Sequence, residues 1–122
     1  MASPALQLGA ATAAQPAGQA WDAVRVPRGI GLLALEALGA RSGAVIEDDR
    51  ALYWLVPPGS AAGWDITNTT VLGTGAKVLV PPARRTAGPG PFWRVCPGEA
   101  WLTDTDALRA AVEDAYRPEV AR

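Results

Sequence analysis

The chain contains no histidine at all. That absence removes Ser-His-Asp and Cys-His nucleophilic catalysis, histidine-based zinc sites and imidazole proton relays. Cysteine is almost as scarce. Cys96 stands alone, so no intrachain disulfide can form, and this usage suits a reducing cytosol. With no imidazole to generate thiolate, and set between Val95 and Pro97, it reads as an inert, partly buried thiol. No apolar run approaches the roughly 18–20 residues of a membrane span. Lysine occurs once, at Lys77, and the other cations are arginines, which with abundant Ala, Gly and Pro reads as the codon bias of a GC-rich genome. Eleven Lys and Arg oppose twelve Asp and Glu, a net charge of −1. Such a balance calls for neither nucleic acid nor an acidic lipid surface. Gly-rich P-loops, Gly-x-Ser-x-Gly and Cys-x-x-Cys motifs are also missing.

What is present is 122 residues, 49% hydrophobic, enough for one small domain with a modest core. Met1 to Ala20 are rich in Ala, Gly, Gln and Pro and carry no basic n-region, so they read as a disordered leader rather than a signal peptide. The ordered domain is expected over 21–117, with a tail at 118–122.

Two segments stand out. Leu52 to Pro58 and Lys77 to Pro82 are each an apolar, β-prone run stopped by two prolines. Proline lacks the amide donor and restricts its predecessor, so the doublet predicts two neighbouring strands that finish at a common rim. Trp21–Pro27 alternates as a strand, with Trp21, Ala23 and Arg25 on one face. Arg28–Leu38 has helical spacing, with Ile30, Leu33, Ala34, Ala37 and Leu38 as the buried stripe and Gly39 as the C-cap residue. Ala44–Ile46 is expected to turn through Glu47–Arg50 into Ala51–Val56 as a hairpin. Trp64–Ile66 and Thr69–Leu72 read as short extended pieces, Ala76–Val80 as a strand, Pro81–Pro91 as a flexible excursion and Phe92–Val95 as the last strand. In the closing helix Thr103 is the expected N-cap, Leu108, Ala111, Val112 and Ala115 the buried stripe, and Pro118 the stop. The order predicts an α+β fold: a small mixed or antiparallel sheet of about five to six short strands, with two helices on one face.

These residues also resemble a known family. Asp22…Pro27, the helix ending Ala34-Leu35-Glu36-Ala37-Leu38, Leu52 to Pro57, Trp64-Asp65-Ile66, Gly75 to Pro82, Phe92-Trp93 and Leu102-Thr103-Asp104 together resemble the bifunctional DNA primase/polymerase N-terminal domain of the archaeo-eukaryotic primase superfamily. The resemblance spans roughly Trp21 to Tyr116 and is most specific from Asp65 to Pro82. It implies a site where an acidic pair before a proline, joined by a third acid, holds divalent metal for nucleotidyl transfer. Here the acidic pair would fall at Val24 and Val26, which cannot bind metal, and the phosphate-binding histidine near Arg50-Ala51 is missing. Asp65 matches the third acid, and Asp22 is the one carboxylate near the missing pair. The resemblance therefore implies a shortened, degenerate scaffold with Asp22 and Asp65 as vestigial acids, no metal site and no cofactor.

Three readings follow. The first is a catalytically inactive accessory or regulatory module that contacts nucleic acid or nucleotide. Its candidate contacts are Arg50, Lys77, Arg84, Arg85 and Arg94, with Trp54, Trp64 and Trp93 available to stack bases. Arg50 reads first as the polar end of a hairpin and only second as a phosphate contact. The second is a protein-interaction module, a self-dimer or a hetero-complex, using a sheet face or edge that the short chain leaves open. The third is a different enzyme built on Asp22, Asp65, Glu47, Asp48 and Asp49. Glu47–Asp49 lies in a turn, where a charge run normally means solvent. A cytoplasmic protein without membrane contact is expected on each reading.

Overall fold

The computed structural model describes residues 6–117. The chain runs β1 (Ala13–Pro16), β2 (Asp22–Pro27), α1 (Arg28–Leu38), a 3-10 turn at Gly39–Arg41, β3 (Val45–Glu47), β4 (Ala51–Val56), β5 (Thr70–Leu72), β6 (Lys77–Val80), β7 (Phe92–Val95) and α2 (Thr105–Tyr116). Five strands form an antiparallel sheet in the order β5-β2-β4-β3-β7, and β1 and β6 pair as a separate antiparallel ribbon. The architecture is α+β, as the sequence predicts. None of the described helices is long and apolar enough to cross a membrane.

Strand alternation builds two cores, because successive side chains point to opposite faces. Val24 and Val26 of β2, Val45 of β3 and Leu52, Trp54 and Val56 of β4 pack under both helices, against Ala34, Leu38, Leu108, Ala111 and Val112. Ala23, Ile46, Leu55 and Trp93 face the other way, where Val78 and Val80 of the ribbon cover them together with Trp21 and Trp101. Gly31 lets α1 lie close to the sheet, since a Cβ there would meet the Leu52 side chain at 3.0 Å. A Cβ at Gly29 would touch nothing.

Several expectations need correction. The Pro-Pro doublet does not mark neighbouring strands: β4 is central in the large sheet, while β6 belongs to the ribbon. The prolines say where each strand ends and carry no information about its partner. The leader is not wholly disordered. Ala13 to Pro16 pair with Val80 to Lys77, Ala17 is 3% exposed, and Leu6 and Leu8 pack on the ribbon-side core. Leu33 and Ala37 face outward on α1, where Gly31, Ala34 and Leu38 are the buried residues, a stripe shifted around the helix. Trp64–Ile66 forms no strand. Cys96 is exposed. Both faces of the large sheet are covered, so the open face expected for a partner is filled by the helices and the ribbon. Pro118 and the 118–122 tail lie outside the described residues.

The N-cap of α2 is Asp104, whose carboxylate accepts from the Ala107 amide at 2.9 Å. Thr103 instead turns inward, where its Oγ1 accepts from the buried Gly43 amide at 2.8 Å. Asp104→Ala is expected to lower stability by about 1 kcal/mol, the usual value of a lost N-cap. Thr103→Val should lower it by about 1–3 kcal/mol, because the Gly43 amide is left unsatisfied in the interior. Urea denaturation of the two variants checks this order, and a larger loss at Asp104 would contradict it.

Candidate functional site

Arg25 is the charged residue on the ribbon-side face of β2, flanked by Val24 and Val26 whose side chains enter the helix-side core. In the β2–β4 register it sits opposite Tyr53. Its guanidinium lies 6.0 Å from the Tyr53 ring centroid, and its Nε donates to the Tyr53 hydroxyl at 3.3 Å. The hydroxyl in turn donates to Asp48 Oδ2 at 3.1 Å. Asp48 is itself fixed, because Oδ1 accepts the amides of Arg50 and Ala51 at 2.9 and 2.8 Å and so closes the β3–β4 turn. This is the aspartate turn geometry that the polar run predicts.

Arg25, Tyr53 and Asp48 line a cleft of about 310 Å³ between the sheet and the ribbon. Lys77, Val78 and Leu79 of β6 also line it, with Ile46, Leu72 and Pro91. Lys77 is exposed at the start of its strand, and Arg25 is half-buried. Among the described residues neither has a salt-bridge partner. Burial raises the Tyr53 phenol above its ordinary value and Asp48 adds to this, while the Arg25 hydrogen bond opposes it without reversing it. Tyr53 is thus a neutral donor and a flat wall at physiological pH.

On the other side of the same turn lies Glu47, 2% exposed. Its Oε2 accepts from Arg28 Nε at 2.9 Å and its Oε1 from Arg94 Nε at 2.6 Å. Burial by itself would raise the Glu47 carboxyl, but the hydrogen bonds and charges of Arg94 and Arg28 together outweigh it and hold the group below the ordinary glutamate value. This overturns the view of Glu47–Asp49 as a solvated turn run. Glu47 ends β3, whose alternation carries it inward, and only Asp49 and Arg50 are exposed at the tip.

The other predicted residues fall as follows. Arg50 is exposed at the turn tip, so the hairpin role fits it. Arg84 is exposed in the loop before β7. Arg85 is committed to that loop: its Nε donates to the Pro91 carbonyl at 3.2 Å and its Nη2 to the Pro89 carbonyl. Arg94 belongs to the Glu47 pair. Asp22, 7% exposed, accepts from the Gly59 amide at 2.8 Å and ties down the loop after β4. Asp65 is exposed and pairs with Arg109 of α2 at 2.9 Å. Asp22 and Asp65 therefore serve different elements, and Val24 and Val26 are fully buried beneath the helices. No group of three or more His, Cys, Asp or Glu among the described residues is placed to hold a metal ion. Trp54 and Trp93 are core residues, 0% and 1% exposed, and offer no face to a base. Trp64 is half-buried, with its indole donating to Thr69 Oγ1 at 2.8 Å.

Sequence reasoning passed over Arg25, Arg28 and Tyr53. The signal for Arg25 was present, since alternation puts a cation on the same strand face as Trp21 and Ala23. Comparison with known protein families, with curated proteins and with solved structures returns no match.

Proposed function

We propose that the chain is a non-catalytic, primase-polymerase-like accessory module that holds a phosphate-bearing ligand, a nucleotide or single-stranded nucleic acid, in the cleft between sheet and ribbon. One observation carries this reading. Arg25 and Lys77 both line one cleft, and no carboxylate among the described residues is in ion-pair contact with either. Cations left unpaired in a concave, partly apolar site are suited to an incoming anion. Leu72, Leu79 and Pro91 add apolar surface against which a base or sugar can rest. The volume lies at the small end of ligand sites, which fits a mononucleotide or one nucleotide of a strand. The non-catalytic part of the reading is supported by the resemblance, which would put the acidic pair at Val24 and Val26, and these are built into the core.

Calorimetric titration of the full chain with a deoxynucleoside monophosphate and with an oligothymidylate, at low salt, tests the proposal. Arg25→Ala and Lys77→Ala are each expected to weaken binding by about tenfold or more, the usual effect of losing one charge-assisted contact. Each should also reduce the salt slope of oligonucleotide binding by about 0.7. Arg85→Ala should act on the loop and leave affinity nearly unchanged. Absence of binding by the unaltered protein at low salt would remove the proposal, and metal-dependent nucleotide incorporation would overturn its non-catalytic part.

A further inference from the structure

Glu47 is one buried carboxylate facing two arginines, and each arginine reaches it through Nε alone. Among the described residues the Nη groups of Arg28 and Arg94 have no hydrogen-bond partner. Their side chains remain 46% and 39% exposed. The carboxylate thus fixes two guanidiniums and leaves the terminal donors of both without a partner among the described residues. Two cations against one anion leave the triad with a net positive charge.

The placement of Arg94 is a built feature. Val45 pairs with Val95 and Ile46 with Trp93, so Arg94 is the extra residue of a β-bulge in β7. Bulges re-aim a side chain out of the regular alternation. This one lets Arg94 reach Glu47 while Trp93 and Val95 keep to opposite cores. Arg94 also lies over Phe92, 5.9 Å from the ring centroid. Arg28 opens α1 and is anchored by its amide, which donates to the Arg50 carbonyl at 2.8 Å.

Both arginines line a cavity of about 350 Å³ with Glu47, Phe92, Asp48, Asp49 and the 88–90 segment. Beyond Glu47, the two aspartates are the further opposing charges. Asp48 keeps its charge, but its oxygens are already engaged by two turn amides and the Tyr53 hydroxyl. Asp49 is exposed and screened by water.

We propose that Arg28 and Arg94, aligned by Glu47, form a second anion site that takes a phosphate group, separate from the Arg25–Lys77 cleft. Phosphate fits better than carboxylate. A carboxylate offers two oxygens in one plane, whereas a tetrahedral phosphate offers more oxygens, spread in three dimensions, and can accept two guanidinium forks at once. The proposal does not depend on what the cleft binds, since the cavity lies on the other side of the β3–β4 turn and shares only Asp48 with it.

The test is an NMR titration of the full chain with inorganic phosphate at low ionic strength, following the arginine Nε–Hε signals. Saturable shifts at Arg28 and Arg94 are expected. The Arg28→Lys, Arg94→Lys double variant keeps both charges but loses the forks, and should bind about tenfold more weakly. The Arg25→Ala, Lys77→Ala double variant should retain the shifts at Arg28 and Arg94. A parallel titration with dimethyl phosphate separates the source: retained shifts assign the site to a nucleic-acid phosphodiester, and lost shifts to a terminal phosphate, either result supporting the site. Absence of saturable shifts in the unaltered protein overturns the proposal without reference to any variant. So does equal binding by the lysine pair, which would show simple charge attraction, and so does loss of the shifts in the cleft variant.

Discussion

Trp54→Ala is expected to lower stability by about 3–5 kcal/mol, the range for emptying a large aromatic site in a packed core. That is a large share of the roughly 5–15 kcal/mol available to a small domain. Trp54 is 0% exposed and lies in the middle of β4, with Val24 and Val45 opposite it on the two flanking strands. Both helices close over that face, so the space cannot be refilled by one side chain moving. The indole also donates to Ser42 Oγ at 3.1 Å and ties the segment after α1 to the sheet. Trp64→Ala provides the internal control. Trp64 is half-buried at the border of the same core and should lose clearly less, about 1–2 kcal/mol. Urea unfolding followed by circular dichroism measures both. Equal losses at the two positions would contradict the assignment of Trp54 to the centre of the helix-side core.

The contrast between the two tryptophans shows which part of the fold was legible in the sequence. Strand alternation and proline stops are local signals, and they placed β2, α1, β4 and β7 closely. Partner choice is not local. Lys77–Val80 and Leu52–Val56 look alike as sequence, yet one closes a ribbon and the other is central in a sheet. The strand Ala13–Pro16 has almost no intrinsic β preference, and its pairing is supplied by β6 and by the apolar surface of Trp21 and Trp93 that the ribbon covers. The same limit applied to the candidate sites. Lys77 and Arg94 stood out as cations, but their roles depend on residues distant in the chain. Lys77 lines the same cleft as Arg25, and Arg94 meets Glu47 only because a bulge shifts it. Val24 and Val26 were legible as strand residues of one face, and the fold adds that this face is the helix-side core.

Glu47→Gln is expected to lower stability at neutral pH by about 2–4 kcal/mol. Removing one partner of a buried ion pair typically costs about 3–5 kcal/mol, and the half-exposed guanidiniums here can regain some water. Glutamine keeps nearly the same volume, so the loss reports charge and hydrogen bonding rather than a cavity. The pH dependence separates the two. The folded-state pKa of Glu47 lies below its ordinary value of 4.5. An ionised carboxylate with a depressed pKa contributes stability that is complete above the unfolded value and is lost as pH falls through the folded one. The difference between the unaltered chain and Glu47→Gln should therefore be constant from neutral pH down to about 5 and shrink steadily below about 4.5. Guanidinium chloride would screen the pair, so urea is the denaturant of choice. A difference that stays flat to low pH would mean that Glu47 contributes through shape. A shrinking difference would show that the carboxylate holds its charge in the folded state, which is what aligning Arg28 and Arg94 requires.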